Sequence, residues 1–282
     1  MKITFILPLL LTANSLLSAQ TQNNVSTKRD TIPKPKNQIP STYGAKTKGE
    51  FGITDANLID QSLKVIEGVG NLRDALAEQN FKSYMMPPRK TGANAHSAEY
   101  AMTSALEFYL NLNNNYKDNL SPDFIRLNLP QGSIEDDLNF LATTGTVSAA
   151  ILPYESPNLT PSVYSALKYK IKNYLKLFQI TTRPQQKLYD LRKAITRGNP
   201  VIIEMQITNE FKNLKQVRSW QATSGDKTPA GIQYVVVVGY DEERKAVEVL
   251  NSWGREWGNG GYLWVSYEDL GNLATNAYVL MF

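Results

Sequence analysis

The stretch from Tyr234 to Tyr262 constrains this chain more than any other. Tyr234-Val235-Val236-Val237-Val238 is an unbroken apolar run, the signature of a strand covered on both faces. Residues 246–250 and 262–265 read as two further strands, too closely spaced for a crossover helix, so the group reads as antiparallel. Between them lie Asn251-Ser252-Trp253-Gly254 and Trp257-Gly258-Asn259-Gly260-Gly261, a glycine-rich turn carrying two tryptophans. Upstream, Val201-Ile202-Ile203-Glu204-Met205 predicts another strand after the helix stop Gly198-Asn199-Pro200.

The first half of the chain has a different period. Over 94–112, after Ser97, the residues Ala98, Ala101, Met102, Ala105, Leu106 and Tyr109 recur at three-to-four spacing and predict a closely packed helix. A second helix starts near Ser133, with Asp136 three residues on as a capping pair, and stops near Gly145. Further helices are expected over 162–177 and 185–197. Residues 53–81 carry a helical pattern through Leu58, Leu63, Ile66, Val69, Leu72 and Leu76. Helices first and strands later imply an α+β fold with a helical lobe and a sheet lobe.

Residues 1–19 read as a signal peptide: Lys2, a largely apolar run, then Ser18-Ala19 before a cut at Gln20. The run is too short and interrupted to span a membrane, so an exported protein, periplasmic or extracellular, with no integral membrane segment after cleavage is expected. Residues 20–50 are polar and carry Pro33, Pro35 and Pro40, as a disordered linker would. A net charge of +4 over 282 residues, with acids and bases interspersed, does not suit nucleic acid binding. With no cysteine and one histidine, His96, the chain has no thiol chemistry and no disulfide. Only carboxylates remain as metal ligands, without ligand-like spacing, so no metal is expected.

The string from Tyr234 to Asp241, then 247–250, then Asn251-Ser252-Trp253-Gly254 through Gly261-Tyr262 resembles the C-terminal lobe of papain-like cysteine peptidases. In that family a histidine opens the first of these strands, a catalytic asparagine begins the turn, and a Gly-Tyr pair starts the next strand. The earlier half is similar more weakly. The segment Thr91-Gly92 through His96-Ser97 precedes a helix, and Glu107 lies ten residues after Ser97, as a glutamate follows the family's cysteine. The likeness covers about residues 86–282 and is nearest in form to bacterial secreted members. It implies a two-lobe fold, with a helical N-terminal lobe, an antiparallel β-barrel-like C-terminal lobe and a cleft between them. Residues 51–85 would then be an N-terminal helical extension or a pro-like segment.

Carried over position by position, the catalytic set fails. Ser97 stands at the cysteine, Gln233 at the histidine and Thr91 at the oxyanion glutamine; only Asn251 is retained, beside Trp253. The family reaction needs a thiolate at a helix N-terminus held by an imidazolium. A serine hydroxyl needs a general base, and the Gln233 amide cannot take its proton at neutral pH. His96 adjoins Ser97 and would point to a different side. Glu107 reads as a buried structural carboxylate, and Trp253 and Trp257 as aromatics bracing the turn.

The resemblance therefore implies an exported papain-like peptidase homologue without proteolytic activity or cofactor, acting as a binding or regulatory module. Its cleft would hold an extended peptide or protein. Two alternatives remain at this point. One is a hydrolase of altered chemistry with Ser97 as nucleophile. The other is a structural partner of another envelope protein, contacting it through the loop 213–231 with Trp220.

Overall fold

The computed structural model describes residues 51–282 apart from 72, 93–95, 116 and 223–227. The expected leader 1–19 and linker 20–50 lie outside the described residues. In chain order the elements are α1 (Ala56–Ser62), β1 (Glu78–Asn80), α2 (Ser97–Asn114), α3 (Pro122–Asn128), α4 (Ile134–Thr143), α5 (Ser162–Ser165), β2 (Asn173–Phe178), α6 (Pro184–Thr196), β3 (Val201–Gln206), α7 (Asn209–Lys212), β4 (Ser219–Trp220), β5 (Ile232–Asp241), β6 (Ala246–Leu250), β7 (Tyr262–Ser266), α8 (Tyr267–Leu273) and β8 (Ala274–Met281).

The valine run is the middle of β5, and the sheet is assembled around it. Val235 to Val238 are buried on both faces. The first half of β5 pairs antiparallel with β3, Val201 opposite Val237. Its second half pairs with β6, Asp241 opposite Ala246. Beyond the end of β3, β1 takes the vacated edge, with Gln79 opposite Tyr240. Gly239 permits that approach, because a Cβ there would lie 2.4 Å from the Gln79 carbonyl oxygen. The full order is β2-β8-β3-β5-β6-β7-β4. The sheet is open rather than barrel-like: β2 and β4 stand at opposite ends and do not pair with each other.

Helix α2 packs across β5, and its small residues Ala98, Ala101 and Ala105 are all buried there. Helix α4 opens with the expected capping box between Ser133 and Asp136. It ends at Gly145, whose φ of +87° is a conformation glycine tolerates best.

Two expected helices are short. The pattern over 53–81 yields only the seven residues of α1. Gly68 and Gly70 adopt left-handed backbone, which ends any helix there. Leu63, Val69 and Phe81 nonetheless enter the main core, so the segment is bound by its apolar side chains. The expected helix over 162–177 is α5, four residues, followed by a strand. Tyr174, Leu175 and Phe178 bury their side chains along β8 instead, with Tyr174 opposite Leu280. Sheet pairing overrides the local helical spacing.

Candidate functional site

Helix α2 starts at Ser97, with His96 before it in extended conformation and making no side-chain cap. Ser97 Oγ accepts the backbone N–H of Tyr234 at 3.0 Å, which pins the start of the helix to the start of β5. Gln233, one residue earlier on β5, is buried. Its Nε2 donates to Asn251 Oδ1 at 2.7 Å and lies 3.4 Å from Ser252 Oγ. Asn251 leaves the end of β6, and its Oδ1 also accepts the Ser252 N–H at 2.7 Å. Asn251 Nδ2 is buried without a hydrogen-bond partner. The fold thus brings Ser97, from the start of α2, to Gln233 and Asn251, which lie eighteen residues apart on the paired strands β5 and the end of β6.

Thr91 is committed elsewhere. Its hydroxyl sits 2.7 Å from both the carbonyl oxygen and Oγ of Ser252, and its N–H donates to that carbonyl at 2.6 Å. Residues 89–91 run along the turn, with Gly254 N–H donating to the Arg89 carbonyl at 2.9 Å. Thr91, at the family's oxyanion position, therefore braces the Asn251–Ser252 turn.

His96 is also turned away. Its ring is well exposed, and Nδ1 lies 3.4 Å from Glu99 Oε1. Glu99 is buried at the first turn of α2, and removal from water raises its pKa despite His96.

Behind the site, Glu107 is fully buried and gripped by Arg89, with both Nη–Oε distances 2.9 Å. The Leu120 N–H donates to Glu107 Oε1 at 2.6 Å, while Arg89 also reaches Ser104 Oγ at 2.7 Å and Tyr154 OH at 2.9 Å. Burial pushes the Glu107 carboxyl up, to about 7, against the pull of Arg89 and Leu120. Arg89 was missed in the sequence. The signal for it is that a buried glutamate needs a bidentate cation, and arginine supplies that fork. The Tyr234 contact had no signal at all, since it is made by backbone.

The tryptophans form a separate aromatic block. Trp257 is buried, donates from Nε1 to the Phe211 carbonyl at 2.8 Å and meets Trp253 edge-on at 5.5 Å. Trp220 packs on Phe211 with ring centroids 5.1 Å apart and is buried. The expectation of Trp220 as a surface anchor is therefore corrected: four aromatics gain more from mutual burial than from solvent.

Chemically, the cluster offers a hydroxyl and two carboxamides. Neither amide has a pKa suited to proton transfer. Among the described residues no three His, Asp or Glu side chains converge as a metal site requires.

The model of the papain family of cysteine proteases matches residues 130–281. A peptidase C1-like protein of Acanthamoeba polyphaga mimivirus is 22% identical over 265 residues, covering 87% of this chain and 83% of its own length. Gamete and mating-type specific protein A of Dictyostelium discoideum is 29% identical over 144 residues, 50% of this chain, which spans only 30% of that relative. Among solved structures, procathepsin L2 proteinase from the larval midgut of Tenebrio molitor aligns with a TM-score of 0.62 at 20% identity, over 82% of this chain and 74% of its own. Xylellain, a cysteine protease from Xylella fastidiosa, aligns at 0.55 and 21% identity, over 78% and 96%. The family-model match spans most of the sheet and the Asn251 turn, and the solved relatives share the fold, so this chain, although it contains no cysteine, belongs to the papain family of cysteine proteases.

Proposed function

We propose that this papain-family protein does not cleave peptides and instead binds an extended peptide or protein segment in the groove between its helices and its sheet. The observation carrying this reading is the 2.7 Å bond from Gln233 Nε2 to Asn251 Oδ1 beside a Ser97 hydroxyl that accepts a backbone N–H. The glutamine keeps the asparagine partnered where the family places a base, yet an amide cannot accept the Ser97 proton. Losing a nucleophile or base from a comparable triad costs on the order of 10⁶ in turnover. The positive end of α2 would aid a thiolate, but a hydroxyl remains un-ionised there. His96, paired with Glu99, does not supply the missing base. Backbone pairing along the groove remains available for holding a chain.

The test is hydrolysis of a mixed peptide library by the purified protein beside Ser97→Ala. Equal background in both is expected; turnover abolished by Ser97→Ala would refute the reading. The double variant Ser97→Cys, Gln233→His is expected to gain measurable cleavage. The stretch 1–19 supports a further proposal, that the protein is exported, which N-terminal sequencing of the mature chain checks through a start at Gln20.

A further inference from the structure

We infer that the cavity at the far end of α2 binds an aryl-alkyl carboxylate, a small acid with an aromatic body; this site stands apart from the peptide-binding reading above. Ser97 opens α2, whereas Leu112 near its other end lines this cavity with Leu63 after α1, Leu175 of β2 and Leu280 of β8. At the helical rise, the stretch from Ser97 to Leu112 spans roughly 22 Å. The cavity therefore belongs to a different part of the molecule from the Ser97 cluster.

Its size and walls select the body of the ligand. The volume is about 220 Å³. An apolar cavity of roughly 150 Å³ holds one benzene ring, so this one has room for a ring and a short chain. The polar groups of the wall are already spent. Tyr109 OH donates to Asn199 Oδ1 at 3.0 Å, and Asn199 Nδ2 donates to the Lys64 carbonyl at 2.7 Å. The Tyr109 ring stacks with Phe282, centroids 6.2 Å apart. A sugar or other polar body would lose its water there without gaining partners.

The charge selects the head group. Lys64 and Lys172 line the cavity, and no carboxylate side chain does among the described residues. Lys172 Nζ donates to the Phe282 carbonyl at 3.3 Å. The exposed Lys64 ammonium makes no hydrogen bond or ion pair with a described residue. Asp60, four residues earlier, is taken by Lys193 and does not neutralise it. The carbonyl end of α2 contributes about half a negative charge, which the two lysines outweigh. An amine would meet like charge, and a plain hydrocarbon would leave the Lys64 ammonium without a counter-charge. A carboxylate on a short chain meets Lys64 while its ring fills the apolar volume.

The experiment titrates the purified full chain with 4-phenylbutyrate, its uncharged amide and 4-phenylbutylamine, read by saturation-transfer NMR. The acid is expected to saturate and to bind about tenfold tighter than the amide, as a charge-assisted hydrogen bond allows. Lys64→Gln is expected to remove most of that advantage. Lys64→Glu is expected to reverse it, so that the amine binds better than the acid. Lys64 is exposed, so both variants should melt with the parent, which thermal denaturation checks. Leu112→Trp, which fills the cavity, is expected to abolish binding of all three. Equal affinity for acid and amide, or a preference for the acid that survives Lys64→Glu, would overturn the assignment. Absence of saturable binding by the acid would overturn the site itself.

Discussion

In the second half of α2, Glu107 is enclosed by Arg89 and the Leu120 N–H, and Phe108 packs against Phe81 with ring centroids 5.7 Å apart. At the start of the same helix Glu99 has only the exposed His96 ring beside it, at 3.4 Å and without a hydrogen bond, and nearby Asn251 Nδ2 and Asp137 Oδ1 are buried without hydrogen-bond partners. One helix thus has a finished end and an unfinished end. Buried polar groups left open have a cost that folding alone does not justify. The finished end holds the scaffold together, and the unfinished end lies where the proposed peptide binding would act.

The harshest way to break the comparison is at the finished end. Glu107→Ala leaves the Arg89 guanidinium buried without its carboxylate. Such a loss costs about 3–5 kcal/mol, or roughly 10 °C of melting temperature for a domain of this size, measured by thermal denaturation. A shift of only a degree or two would mean that the Arg89 cluster is not what secures this half of the helix.

Phe81→Ala ranks next, with roughly 3–4 kcal/mol expected for emptying a fully buried aromatic site. Phe81 lies in the segment 51–85 and follows β1, so the variant also asks whether that segment can be a removable pro-piece. Stability unchanged by Phe81→Ala, or by proteolytic loss of residues before 86, would show that it is. The structure favours integration: Phe81 N–H donates to the Val238 carbonyl at 2.7 Å, and Leu63 and Val69 join the same core.

At the unfinished end the effect turns on pH. The Asp137 carboxyl is raised well above its ordinary value, to about 8. The folded state therefore holds a proton that the unfolded chain has released. The resulting stability is complete below about pH 4 and is lost as pH rises toward 8. Asp137→Asn removes that loss. Above pH 8 the variant is expected to exceed the parent by on the order of 1 kcal/mol, about 3 °C, with the gain vanishing in acid. Parallel melting curves across pH 4–9 would sink the assignment of Asp137 as the strained group.

The sequence carried the finished parts of the fold far better than the unfinished ones. The Tyr234–Val238 run and the Asn251 turn were legible because a strand buried on both faces and a glycine-rich turn each have few alternatives. Helices α2 and α4 were legible through small-residue spacing and the Ser133–Asp136 cap. Residues 173–178 were not, because what decides them is β8, a hundred residues downstream. The site was legible as two replaced residues, Ser97 and Gln233, beside the retained Asn251. What each does now was not: Thr91 is spent on Ser252, and Trp220 is buried against Phe211. The cavity at the far end of α2 left no trace in spacing, since it joins α1 to β8.

The smallest expected effect sits at the position that matters most for function. Ser97→Ala removes one acceptor, the oxygen taking the Tyr234 N–H at 3.0 Å. A single hydrogen bond of this kind is worth about 1 kcal/mol, so the melting temperature should fall by only about 3 °C. Peptide hydrolysis should not change if, as proposed, the parent has none to lose. The contrast with Glu107→Ala carries the argument: both side chains belong to α2, ten residues apart, and in an active papain-type site the first would be the one that abolishes function. If Ser97→Ala instead destabilised the protein as strongly as Glu107→Ala, the start of α2 would be part of the scaffold, and the division between the two ends would fail.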